Sequence, residues 1–249
     1  MITFAQQQLI RPGNRVLNTL YQYDDFMESI KSIVDLGCGS GLDLEWWATA
    51  STRDDSPVPL NISCLGIDVI DTPAVARKYS NATYQQVDFE TEFQPQKTNF
   101  DILWCNDAFQ YCLNPMSTLG RWRKIAATGA MIVLIVPQTT NFKQKQQQFF
   151  QPSGCYYHHT MISLIHMLAT TGWDCRNGFF LPFRDESWNC AVAYKSEHEP
   201  LDPKTTTWYQ LDELGLLPES VSKSVKAHGY PVQHELLLPW LDKSLNYLL

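Results

Sequence analysis

The sequence predicts a doubly wound α/β domain: a mostly parallel seven-stranded sheet with an antiparallel last strand, followed by a helical C-terminal tail. Three observations carry this expectation. Short apolar, β-branched runs alternate with helical patterns from Ile33 to Val136, and such alternation implies parallel strands joined by right-handed crossovers. The first run ends in Gly37, Gly39 and Gly41, which open a helix. After Pro137 the alternation stops, and two longer strand patterns follow with a connection short enough for a hairpin, which makes the last strand antiparallel.

Each element has a local reason. Residues 14–32 read as an amphipathic helix, with Val16, Leu17, Leu20, Tyr21, Met27 and Ile30 at helical spacing behind the Pro12-Gly13 breaker. Strands are expected at 32–36, 62–67, 83–87, 100–105 and 130–136, with helices at 42–50, 72–79 and 116–126 between them. Their continuous apolar character suits a sheet covered on both faces. The polar stretch 51–59 holds two prolines and reads as a loop. Residues 143–151 are glutamine-rich and read as a solvated helix, and 158–171 as a helix stopped by Gly172. Strands at 173–181 and 187–195 close the sheet. From Thr205 onward, apolar residues from Leu211 to Leu248 predict two or three helices.

The length of 249 residues suits one large domain or a domain with an appendage. The expected division is 1–198 for the α/β domain with its N-terminal helix and 199–249 for a helical extension that offers a surface for self-association. A formal net charge of −7 opposes a main role in gripping duplex phosphates, which favours a basic excess. The seven cysteines are an odd number without a CxxC pair. They read as reduced thiols of a cytoplasmic protein, not as a disulfide framework or zinc site. His158 and His166 are too far apart to share one helical turn as metal ligands, so no metal is expected. Residues 1–11 lack a signal-peptide core. The longest apolar run, 126–137, is well short of the roughly 20 residues of a membrane span, so a soluble chain is expected.

The glycine loop carries the chemistry. A strand ending in glycines before a helix lets a ligand approach the backbone and meet free N–H groups. The dinucleotide pattern GxGxxG needs a third glycine at position 42, which is Leu42. The segment Asp35-Leu36-Gly37-Cys38-Gly39-Ser40-Gly41 instead resembles motif I of the class I, Rossmann-like S-adenosylmethionine (SAM)-dependent methyltransferases. Leu65-Gly66-Ile67-Asp68 ends the second strand in a carboxylate able to accept ribose hydroxyls. Gln86-Val87-Asp88-Phe89 ends the third in another, and the 100–107 segment resembles motif IV. The resemblance spans about 33–195. It implies SAM as cofactor, held by Asp35, Gly37, Cys38, Gly39, Gly41, Asp68, Val69, Asp88, Phe89, Asn106 and Asp107. Taken singly, Asp68 also suits a helix cap and Asp88 a turn.

The same resemblance narrows the acceptor. Asn106-Asp107-Ala108-Phe109 lacks the Pro-Pro pair of amino-group nucleic-acid methyltransferases, and neither Cys105 nor Cys112 follows a proline as a cytosine-ring nucleophile does. A small-molecule acceptor is expected, with no duplex DNA and no membrane as partner. Where many small-molecule members carry His in the motif IV loop, this chain has Tyr111. Candidates for orienting or deprotonating the acceptor are Tyr111, Asp107, His158 and His159, with Tyr156, Tyr157 and Phe142 as pocket aromatics and residues 21–23 as a lid. Two other classes stay open: an inactive SAM-binding scaffold working through its tail, and a NAD(P)-dependent oxidoreductase.

Overall fold

The computed structural model describes residues 12–53, 56–71, 74–91, 99–137, 157, 159–183 and 188–232. The N-terminal amphipathic stretch is two helices, α1 (Pro12–Leu20) and α2 (Asp24–Ser29), broken at a turn. Pro12 opens α1, where its missing N–H costs nothing. Then follow β1 (Ser32–Leu36), α3 (Leu42–Ala48), β2 (Ser63–Asp68), α4 (Val75–Lys78), β3 (Ala82–Gln86) and β4 (Phe100–Asn106). A single 3-10 turn (Phe109–Tyr111) leads to α5 (Pro115–Ile125) and β5 (Ala126–Pro137). The chain continues through α6 (Met161–Thr170), β6 (Trp173–Phe183), β7 (Trp188–Lys195), α7 (Trp208–Glu213) and α8 (Glu219–His228).

The seven strands form one sheet in the order β3-β2-β1-β4-β5-β7-β6. The pairs β1–β2, β2–β3, β1–β4 and β4–β5 are parallel, and β7 runs antiparallel to both neighbours. The last strand therefore inserts between β5 and β6 instead of lying at the edge. β5 begins four residues before the expected start, because its first residue pairs with Phe100 and the register then shifts. Gly129 at φ +69° lies within that irregular stretch.

Pleat alternation feeds two cores. Val34, Leu103 and Leu134 join one cluster with Trp122 and Leu168, while Ile33, Trp104 and Ile135 join the other with Leu17, Leu44 and Trp47. α1, α2 and α3 thus cover one face, and α5, α6, α7 and α8 the other. Side-chain caps set the starts of α5 and α6: Asn114 accepts from Ser117 N–H and Thr160 from Ser163 N–H. Thr207 and Gln210 form a reciprocal capping box on α7. Leu211, Leu216, Val221 and Val225 of the tail are buried in the domain core, and Cys175 N–H donates to Leu216 O at 2.9 Å. The expected helix at 143–151 and any helix after 232 lie outside the described residues. Among the described residues, no helix is long and apolar enough to cross a membrane.

Arg123 fastens the second face. Its buried guanidinium donates to Gly172 O (3.2 Å), Ser196 O (3.1 Å) and His198 O (2.5 Å). Its contact with Glu199, at 3.4 Å, reaches a carboxylate that is 85% exposed. Arg123→Ala is expected to lower urea-unfolding stability by roughly 2–4 kcal/mol, since carbonyls lose charged donors. Glu199→Gln should change it by less than about 1 kcal/mol.

His166 on α6 meets the Trp208 ring of α7 edge-on at 4.8 Å. Burial lowers its pKa below the ordinary 6.5. The unfolded chain therefore takes up the proton first. The contribution of this residue is full above about pH 6.5 and is lost as pH falls through the lower folded value. In urea titrations, His166→Phe should flatten the loss of stability as pH falls below about 6.5.

Candidate functional site

Strand order reverses between β1 and β4, and open α/β sheets bind ligands at the carboxyl ends of the strands at such a switch point. The glycine loop leaves β1 there. Gly37, Gly39 and Gly41 have φ of +81°, +52° and +81°, a region in which a side chain is strained. Gly37 is also sterically required: a Cβ would lie 2.2 Å from Ala108 Cβ and 3.4 Å from the Phe89 ring. A Cβ on Gly39 would meet nothing within 4 Å. One glycine is packed against the turn after β4, and the other fronts open space.

The loop is tied to the turn after β2. Gly37 and Cys38 N–H groups both donate to Ile67 O, at 2.8 and 3.0 Å. Asp68 Oδ2 accepts from Gly39 N–H at 2.8 Å, while Oδ1 accepts from Val69 N–H (2.8 Å) and Ile70 N–H (3.3 Å). Tyr84 braces this turn from β3, its hydroxyl donating to Asp68 O at 3.0 Å and to Ile70 O. Burial, with the Asp68 and Asp71 charges, pushes the phenol up to about 12, so it stays a donor. Val69 is exposed at the rim.

Other sequence candidates occupy distinct places. Asp35 is buried at the end of β1. The Cys38 side chain points into the protein, 2.9 Å from where a Gly66 Cβ would be, so the loop offers its backbone there. Burial, reinforced by Asp35 and Asp68, raises the Cys38 thiol pKa. Burial also raises the Cys105 and Cys112 thiols, so none of the three is a poised nucleophile. Asp88 is exposed, and its Oδ1 accepts from Glu90 N–H at 2.8 Å. Phe89 is half-buried on Trp122, and its carbonyl accepts from Trp122 Nε1–H.

The turn after β4 is the strained part. Asp107 has φ +58°, a non-glycine outlier of the kind that clusters at functional sites. Its N–H donates to Ile135 O, and its Oδ1 accepts from Gln110 Nε2 at 2.6 Å. Tyr111 follows, 43% exposed. Tyr157 joins this turn: its N–H donates to Gln110 O and its hydroxyl to Leu113 O. His159 is buried, stacked on Phe109 at 5.1 Å and on Tyr157 at 6.0 Å. The sequence missed Gln110. His158, Tyr156 and Phe142 lie outside the described residues.

Residues 21–23 are not a lid over this site. Tyr21 packs on Trp46, its hydroxyl donates to Thr52 O, and Arg53 donates to Gln22 O. All of these lie past the C-terminal end of α1, at the amino edge of the sheet. The end of α1 that reaches the site is Gly13: a Cβ there would lie 2.5 Å from Asn106 Nδ2. The direction of α1, from Gly13 at Asn106 to Tyr21 at Thr52, sets this placement.

The two glycines separate by mutation. Gly37→Ala should lower urea-unfolding stability by roughly 2–4 kcal/mol, combining left-handed strain with overpacking against Ala108. Gly39→Ala, strained but unhindered, should lower it by about 1–2 kcal/mol. Equal losses would contradict the packing assigned to Gly37.

The comparisons with known proteins agree with this geometry. A structure of Burkholderia thailandensis 1,6-didemethyltoxoflavin-N1-methyltransferase with 1,6-didemethyltoxoflavin and S-adenosylhomocysteine is similar at TM-score 0.54 and 13% identity, covering 76% of this chain and 78% of that one. A SAM-dependent methyltransferase from Mesorhizobium loti is similar at TM-score 0.57 and 16% identity, covering 73% and 96%. The N-methyltransferase NodS from Bradyrhizobium japonicum WM9, in complex with S-adenosylhomocysteine, is similar at TM-score 0.53 and 14% identity, covering 75% and 89%. A search of curated proteins finds no match. The family model described as "Methyltransferase domain" matches residues 28–191, more than half of the sequence, and the chain belongs to that family of enzymes.

Proposed function

We propose that this chain is a SAM-dependent methyltransferase that moves a methyl group to a small-molecule acceptor by in-line displacement. The observation that carries the cofactor reading is the glycine loop at the switch point. Gly39 fronts open space, its N–H is held by Asp68, and Leu42 stands where a dinucleotide site needs its third glycine. On this reading the backbone of 37–41 meets the cofactor. Asp68 accepts from ribose hydroxyls at the rim, and Val69, Asp88 and Phe89 border the adenine. Asp35, Asn106 and Asp107 border the amino-acid end. Bound SAM supplies an electrophilic methyl on a sulfonium.

The chain's own residues need only position the acceptor and exclude water, which together provide much of the acceleration for a displacement of this kind. Tyr111, Asp107 and His158 are the candidates for that side. Tyr111 sits on the turn after β4, exposed, with a phenol that can donate or accept. A base takes a proton only when the acceptor is a hydroxyl or an ammonium. The small-molecule assignment rests on the net charge of −7 and the absence of Pro-Pro and Pro-Cys motifs. It is also consistent with the small-molecule acceptor in the Burkholderia neighbour.

Calorimetry should show binding of S-adenosylhomocysteine and none of NAD; the reverse result ends the proposal. A panel of small nitrogen and oxygen nucleophiles, read by release of S-adenosylhomocysteine, identifies the acceptor class. With a working acceptor, Tyr111→Phe should lower turnover about tenfold or more while leaving S-adenosylhomocysteine affinity within about twofold. A collapse of cofactor affinity instead would place Tyr111 in the cofactor pocket.

A further inference from the structure

One buried acceptor at the carboxyl edge of the sheet has no hydrogen-bond partner among the described residues. Asn106 ends β4 and is only 8% exposed. Its Nδ2 donates to Asp43 Oδ2 at 2.8 Å, whereas its Oδ1 is buried with no hydrogen-bond partner among the described residues. Asp43, in the first turn of α3, is itself 3% exposed and also accepts from Trp104 Nε1–H at 2.9 Å. The two bonds fix the orientation of the amide. A flipped Asn106 would set its oxygen against the carboxylate, so the nitrogen must face Asp43 and the oxygen must face away. That oxygen can only accept. Leaving a buried acceptor unpaired is unfavourable, and a donor from a bound ligand would remove the deficit.

Gly13 closes over the same group. A Cβ on Gly13 would lie 2.5 Å from Asn106 Nδ2 and 3.2 Å from Asp43 Oδ2. The first turn of α1 can therefore approach only because position 13 has no side chain. Three distant segments meet at one amide: the start of α1, the turn after the glycine loop, and the end of β4.

We propose that Asp43 is a positioning residue for ligand recognition. By taking the amide nitrogen, it presents Asn106 Oδ1 as a fixed acceptor for the ammonium of an amino-acid moiety. This rests on the cofactor reading above, in which the ligand is a nucleoside thioether carrying an amino acid. Asp43 does not touch the ligand; it works through Asn106. Gly13 keeps the amide undisturbed from the other side.

Two probes separate this role from general stability. S-adenosylhomocysteine carries the amino acid, and 5′-methylthioadenosine is the same nucleoside thioether without it. Calorimetry on the full chain should show both binding to the wild type. Asp43→Leu and Asn106→Leu should weaken S-adenosylhomocysteine roughly tenfold or more and change methylthioadenosine by less than about twofold. Asp43→Asn retains an oxygen that can accept from both Trp104 and Asn106, and should recover most of the lost affinity. Gly13→Ala, which pushes on the amide without removing it, should show the same selective loss and serves if Asp43→Leu does not fold. Equal weakening of both probes, or no change in either, overturns the proposal. A wild-type chain that binds neither probe overturns the cofactor reading, and this proposal with it.

Discussion

The site depends on one close approach: the Gly37 backbone against the turn after β4. A Cβ at that position would lie 2.2 Å from Ala108 Cβ, so a side chain is excluded. The contact lies where β1 and β4 run side by side before their connections leave in opposite directions. It fixes the glycine loop relative to Asp107 and the 3-10 turn that carries Tyr111. The other side of the loop is fixed by polar bonds, with Ile67 O accepting from Gly37 and Cys38 and Asp68 accepting from Gly39. Steric packing on one side and hydrogen bonds on the other leave Gly39 facing open space.

The two faces of the sheet serve this arrangement differently. The face carrying α1 and α3 holds an aromatic chain in which Tyr21, Trp46, Trp47 and Trp104 meet edge-on in sequence. Its last member donates to Asp43, so packing and polar order end at the same residue. The opposite face is fastened from below by Arg123, which gathers carbonyls from the start of β6 and the link after β7. That clamp holds the antiparallel β7 next to β5 through the link that follows it. Asn189 of β7 then donates to His159 O at 3.0 Å, connecting the hairpin to the ring stack beside the β4 turn.

The sequence made the strand order of events legible because each strand is a local signal. An apolar run, a terminal glycine or carboxylate, and a helix start can be read within about ten residues. Asp68 and the glycine loop belong to this class, and the structure brings them into contact. Asp43 was not legible. An acidic residue in a first helical turn reads as an ordinary helix-dipole partner, and only the fold brings Trp104 and Asn106 to it. The misplacement of residues 21–23 has the same origin. Helical spacing at 14–32 does not tell which end of the helix faces the site, and α1 brings Gly13 there. The start of β5 was hidden by Gly129, whose positive φ belongs to an irregular pairing and not to a strand boundary. Gln110 carries no sequence signal, since its bond to Asp107 exists only because the chain turns left-handed there.

On the proposed reading, the polarity of the site answers to what a displacement at a sulfonium requires. The methyl donor is already activated, so strong acid–base machinery is unnecessary and positioning dominates. The described residues agree with this economy. Burial raises the pKa of Cys38, Cys105 and Cys112 and keeps them as thiols, and Tyr84 is held as a donor to backbone carbonyls. Several polar atoms with fixed geometry are acceptors: Asp68 at the loop, Asp107 at the strained turn, and Asn106 Oδ1 set by Asp43. A ligand recognised by such a set must bring its own donors. Ribose hydroxyls and an ammonium do so, whereas a pyrophosphate would bring acceptors and charge to a region that already contains Asp35, Asp43 and Asp68. On the proposed reading, this acceptor pattern favours the first ligand class on grounds independent of glycine spacing.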